Sequence, residues 1–300
     1  MGLVKMLRGL VLILIGLGWL INSTANAEDV VRINIRQSDL DQRTGYKEVL
    51  LRAILDKTLV DYGPYRIDTS IERTTRNRAL REMVAGGVFN AYIAPADPDW
   101  EVNTIPIRIP IRRGLLNYRL LLTTKSHVQA LGKIQTADDL KAFRLGLRAQ
   151  WTTTKVMRAL DFDVIRANGY DNLFEMLAHD RFDYIPRGIN EVFGELRVRQ
   201  RSMPNLEVES KVALYLPMPV YFYVSPKSPR LAKRLETGFK RLIADGGFDA
   251  LFKDYFGEQV EAAKLHERRI IHLGNPLLSS ETPFNEPELW FYPIEAAGGR

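Results

Sequence analysis

The chain is 300 residues long, 46% apolar and mildly basic, with 42 Lys and Arg against 36 Asp and Glu. It contains no Cys, which excludes disulfides, thiolate chemistry and cysteine-ligated metal and leaves core burial to supply stability. Charges of both signs are interspersed along it, the pattern of an ordinary solvated surface rather than of a nucleic-acid stripe or a polybasic membrane patch.

The N-terminus reads as an export signal. Lys5 and Arg8 make a basic start, and Gly9 to Ile21 is an apolar run too short for a comfortable membrane span. Asn22 to Ala27 then ends in the small-residue pattern Ala25-Asn26-Ala27. Cleavage after Ala27 is expected, giving a 273-residue periplasmic chain of net charge +4. An uncleaved anchor is the alternative; a lipid anchor on Cys is excluded.

Beyond the signal, short strands alternate with amphipathic helices, as in α/β construction with mainly parallel sheets. Val30 to Arg36 alternates Val31, Ile33 and Ile35 with Arg32, Asn34 and Arg36 and predicts the opening strand. A helix over Tyr46 to Val60, a strand near Tyr65 to Asp68 and a helix over Arg76 to Ala85 follow, the last stopped by Gly86-Gly87. Val88 to Ala94 predicts a strand, and Pro106 and Pro110 make Thr104 to Ile111 an edge or crossover segment.

A second set starts with a strand over Tyr118 to Thr124, and Thr136-Ala137-Asp138-Asp139 predicts a capping box. Next come a strand over Arg144 to Arg148, a helix over Thr152 to Leu160, a strand over Asp163 to Arg166, a helix over Tyr170 to Ala178 and a strand over Asp183 to Ile185. After a helix over Asn190 to Arg199, Val212 to Leu216 and Val220 to Val224 are extended, broken by Pro217 and Pro219. Helices over Arg230 to Ala244 and Phe248 to Tyr255 close the folded body.

Four segments, taken in order, carry a resemblance: RALREMVAGGVFNAYIA (78–94), RLGLRAQWTTTKVM (144–157), YDNLFEMLAHDRFDYI (170–185) and SPKSPRLAKRLETGFKRLIADGGFDALFKDYFG (225–257). With them the chain resembles the bacterial periplasmic solute-binding proteins of family 3, of the type 2 fold, which deliver amino acids and related polar molecules to transporters. The resemblance implies two α/β lobes, each a mainly parallel sheet flanked by helices, joined by two crossover hinge strands. Residues 28–117 and 218–270 would make the first lobe and 118–217 the second. Residues 271–300 extend past the usual family end; the aromatic and apolar residues at 275–278 and 288–293 favour an extension packed on the first lobe, the alternative being a docking surface. A small ligand would sit in the cleft, and closure about the hinge would bury it. The prolines at 106–110 and 217–219 lie where such crossings belong, or else protect sheet edges.

Gln150, Trp151, Thr152 and Thr153 precede a predicted helix whose free N–H groups and dipole favour an anion; the alternative is plain capping by Thr152, with Trp151 as packing. In the amino-acid binders of this family, the strand corresponding to Phe182 to Ile185 leads to an Asp that holds the ligand's ammonium group. This chain has Pro186-Arg187 instead, which disfavours an ordinary α-amino acid and suits carboxylate or phosphate, unless Arg187 is held in a salt bridge, as with Glu191. Arg108, Arg112 and Arg113 would replace the family's carboxylate-gripping Arg, the alternative being exposed Arg on a crossover strand, and Gln37, Ser38 and Asp39 follow the first strand, at the strand end where parallel sheets place ligands.

No hydrolase, metalloprotease or phosphate-loop motif is present, and the four His are scattered, so no catalytic residue, cofactor or metal is expected. The expectation is a monomeric binding protein that presents a small polar, anionic or amino-acid-like ligand to an inner-membrane ABC-type permease. Two alternatives remain open: a receptor feeding a membrane sensor, and a dehydratase-like enzyme on the same fold.

Overall fold

The structure is a computed structural model that describes residues 28–33, 44–69 and 74–292. The opening strand β1 (Asp29–Arg32) buries Val31 while Arg32 stays half exposed, as the alternation requires. It pairs in parallel with β2 (Tyr65–Asp68) after α1 (Thr44–Asp56) and the short α2 (Leu59–Tyr62). Next, α3 (Arg76–Ala85) is capped by Thr75, whose side chain accepts from the Arg78 N–H, and ends at Gly86 in the left-handed region. Strand β3 (Ala91–Pro95) follows, then α4 (Pro98–Asn103) and β4 (Ile105–Ile107). The carboxylate of Asp97 caps α4, accepting from the Asp99 N–H.

A first crossing, Arg108 to Asn117, leads into β5 (Tyr118–Thr124), every residue of which is buried. Behind it come α5 (Val128–Leu131), α6 (Ala137–Lys141) with the expected capping box, β6 (Leu145–Arg148), α7 (Thr152–Ala159) and β7 (Val164–Ala167). The second set is completed by α8 (Tyr170–Ala178), β8 (Tyr184–Gly188), α9 (Val192–Arg199) and β9 (Leu206–Tyr215). The chain then crosses back through Leu216 to Pro219 into β10 (Val220–Val224), followed by α10 (Pro229–Ala244) and α11 (Gly247–Ala263).

The strands form two assemblies. In the first, β10 lies between β3 and β4, antiparallel to both, and a parallel bridge from Ile33 to Ala91 ties β1 and β2 alongside. In the second, six strands run in the order β11-β9-β5-β8-β6-β7, where β11 is Arg269–His272. One strand in each runs against the others, β10 in the first and β5 in the second, so the sheets are mainly parallel. Helices α1 and α10 pack so closely that a Cβ on Gly238 would sit 2.1 Å from the Ile54 carbonyl oxygen; only Gly fits there.

Strand β9 is longer than expected because it carries an irregularity. Register against β5 jumps between Leu120 and Leu122, and the buried carboxylate of Glu209 accepts from the Lys211 and Val212 N–H groups that the interruption frees. Residues 269–270, expected with the first lobe, and 271–272, expected in an extension packed on it, instead add a parallel edge strand beside β9. The sequence gives little sign of this: four residues reading Arg-Ile-Ile-His carry no period long enough to read.

Candidate functional site

The two sets of elements meet at the N-terminus of α7. Trp151 is the N-cap residue, in extended conformation, and no side chain caps the helix. Thr152 does not cap it; Thr154 turns its hydroxyl back to donate to the Arg148 carbonyl at 2.7 Å. Thr152, Thr153 and Thr154 are all buried, and the first turn holds no acidic residue. Its end dipole therefore faces the interior without an opposing side-chain charge from its own sequence.

Two contacts reach this end from the first set. Arg76, opening α3, donates through Nη1 to Thr152 Oγ1 and lies 5.7 Å over the Trp100 ring. Lys155 Nζ lies 3.1 Å from the buried carboxylate of Asp97. The structure thus has its two halves in contact across this seam.

Beneath the seam sits Arg119, near the start of β5 and 4% exposed. Its Nη1 donates to the Pro186 carbonyl and its Nη2 to Met218 Sδ, both at 3.3 Å, and its Nε has no partner. Thr153 Oγ1 approaches the same sulfur at 3.6 Å. Among the described residues no carboxylate pairs with Arg119. Burial pushes its pKa down to about 10, Glu191 pulling it up and Arg187 pushing it down. Glu191 acts on it only at a distance, being paired with Arg187, so an anion reaching this guanidinium would supply the counter-charge in contact that it lacks.

Arg187 occupies the opposite situation. It is 4% exposed, but its Nε donates to Glu195 at 2.7 Å and its Nη2 reaches Glu195 at 2.5 Å and Glu191 at 2.8 Å. The guanidinium also lies 4.6 Å over the Trp151 ring, and Tyr170 donates to Glu195 at 2.5 Å. Burial alone would lower its pKa; the two carboxylates outweigh that and raise it. Its charge is balanced by two carboxylates, the arrangement of the salt-bridge alternative rather than of a free anion grip.

The other expected residues divide. Thr152 and Thr153 come together at the seam, Trp151 serves as the platform for Arg187, and Gln150 is exposed beside them. Arg112 is buried near Tyr46, where its charge acts on a phenol whose pKa burial drives upward. Gln37 lies outside the described residues. Arg76, Arg119 and Met218 are not marked as site residues by the sequence patterns. Only Arg119 left a signal: a lone charge within Tyr118-Arg119-Leu120-Leu121-Leu122, a stretch otherwise apolar.

A groove of about 440 Å³ lies elsewhere, between α4 and the C-terminal segment, lined by Val102, Pro276 and Leu278 among others. Its one cation among the described residues, Arg108, is already paired with both of its carboxylates, Glu101 at 3.1 Å and Glu281 at 2.7 Å. Among the described residues no group of three or more His, Cys, Asp or Glu could hold a metal ion. No described helix is long and apolar enough to cross a membrane.

No family model matches the chain, and no curated protein matches it. Solved structures do. An ancestral arginine-binding protein bound to arginine superposes with a TM-score of 0.55 at 14% identity, covering 76% of this chain and 99% of that one. The GluR0 ligand-binding core from Nostoc punctiforme, in complex with L-glutamate, gives 0.50 at 15% identity over 76% and 98%. A histidine kinase sensor domain with similarity to periplasmic binding proteins gives 0.50 at 15% over 77% and 95%. The chain has the two-lobe type 2 periplasmic-binding-protein fold that its sequence resemblance implied.

Proposed function

We propose that the chain is an exported receptor that closes two lobes around a small anionic ligand. One lobe comprises β1 to β4 with β10, α10 and α11; the other comprises β5 to β9 with β11. The crossings at 108–117 and 216–219 act as the hinge. The ligand's negative group is held by the uncapped start of α7, the Thr152 and Thr153 hydroxyls, Arg119 from below and Arg76 from the facing lobe. The observation that carries this reading is Arg119, a buried guanidinium left without a carboxylate beside a helix N-terminus.

Solved structures sharing the fold include an ancestral arginine-binding protein and a histidine kinase sensor domain, and delivery to an ABC-type permease or to a membrane sensor are both compatible with it. The test is a thermal-shift screen of the mature protein against mono- and dicarboxylates, phosphorylated compounds and amino acids. An anion that raises Tm in the parent and binds Arg119→Met about 10- to 100-fold more weakly supports the site, since a hydrogen bond to a charged group contributes about 1.5–3 kcal/mol. An anion bound equally by both proteins removes Arg119 from the site.

A further inference from the structure

The segment after β11 runs back over both hinge crossings. At the second crossing, the Leu273 N–H donates to the Tyr215 carbonyl at 2.8 Å and Asn275 Nδ2 to the Pro217 carbonyl at 2.7 Å. At the first, the Phe291 N–H donates to the Arg113 carbonyl at 2.7 Å, and Arg113 Nη2 donates back to the Glu288 and Trp290 carbonyls at 3.3 Å. Trp290, 3% exposed, packs its ring on Gly114 so closely that a Cβ there would lie 2.6 Å from it. Gly114 also has φ +70°, so the crossing is shaped both for the turn and for the indole.

The same segment is anchored in each lobe. Its leading strand β11 belongs to the six-stranded sheet. The remainder rests on the first lobe, where the Phe291 and Phe252 ring centroids are 5.6 Å apart and Leu278 packs on the Tyr92, Trp100 and Tyr221 cluster, while Glu281 pairs at 2.7 Å with Arg108, where the first crossing begins. A hinge works by changing backbone angles at a few residues, and these residues have their carbonyls bonded to one continuous strap.

We propose that residues 273–292 form a clasp that restrains the hinge and holds the lobes near the closed arrangement. Opening must break the strap's contacts at one crossing or the other. Closure is therefore partly prepaid by the fold, and the apparent affinity of any ligand that binds the closed state rises with the fraction already closed. The clasp stands on contacts at the hinge and does not depend on what the cleft binds.

The absence of native Cys permits a direct test on the full chain. Val60 on α2 and Val198 on α9, 96% and 76% exposed, take Cys substitutions for spin labels, one on each lobe. Electron–electron distance measurement without ligand should give one narrow distribution in the labelled parent. Trp290→Ala and Asn275→Ala, each in the full chain, should broaden it or move it to longer separations while far-UV circular dichroism stays native. Asn275→Ala removes only one hinge bond and one local turn bond, so it decides the matter alone if Trp290→Ala fails to fold. Folded variants whose distributions match the parent's would overturn the proposal.

Discussion

Two buried arginines on neighbouring strands, Arg119 and Arg187, should respond to the same substitution with opposite sign. In Arg119→Met, a desolvated charge with no carboxylate in contact is replaced by an apolar chain; exchanging even a buried ion pair for packed hydrophobe is neutral or stabilises by about 1–4 kcal/mol. Against this stand two hydrogen bonds at 3.3 Å, one of them to a sulfur, which together contribute on the order of 1 kcal/mol. The net expected change is a gain of about 1 kcal/mol, or roughly 2–4 °C in Tm for a domain of this size. In Arg187→Met the same edit leaves Glu191 and Glu195 buried without their cation, a loss of about 3–5 kcal/mol and on the order of 10 °C. Urea denaturation and calorimetry of the ligand-free proteins at pH 7 would measure both. If Arg119→Met loses as much stability as Arg187→Met, Arg119 is a structural ion like its neighbour and the anion site is not where it has been placed.

Two further outcomes follow from the geometry. Burial alone would raise the Asp183 carboxyl, but hydrogen bonds from the Arg144 side chain and N–H, with His127 nearby, hold it below the usual carboxylate range. Its contribution is therefore present above the unfolded carboxylate range near ~4 and fades as pH falls through the lower folded value. Asp183→Asn should thus lower Tm at pH 7 and pH 5, with the gap to the parent closing towards pH 3. Gly238→Ala would drive a methyl into the Ile54 carbonyl, backbone that cannot yield, and should cost about 1–3 kcal/mol by separating α1 from α10; an unchanged urea midpoint would contradict that packing.

The elements legible in the sequence are those whose order is local. Strands β2, β5 and β10 and helices α3 and α8 fall on the residues expected, because each is a short run of one hydrophobic period closed by a cap, Gly or Pro. The capping box at Thr136 needs only residues three apart, and it forms. The sequence likewise flagged the α7 start, since threonines before an amphipathic stretch can be read without knowing what faces them. Where the chain departs from expectation, the deciding partner lies far away in sequence. Strand β11 exists because β9 offers an edge more than fifty residues upstream.

The charge of the site was decided the same way. Arg119 and Arg187 are chemically identical in the sequence, and both are buried. One finds Glu191 and Glu195 on the helix after its strand, and the other finds a carbonyl and a thioether. Composition and periodicity determined that this chain would build mainly parallel sheets flanked by helices, and only the resemblance of four segments to a known family implied a division into two lobes. Which guanidinium would remain uncompensated could be settled only once folding had brought the strands side by side, because electrostatic balance depends on distance in space rather than on position along the chain.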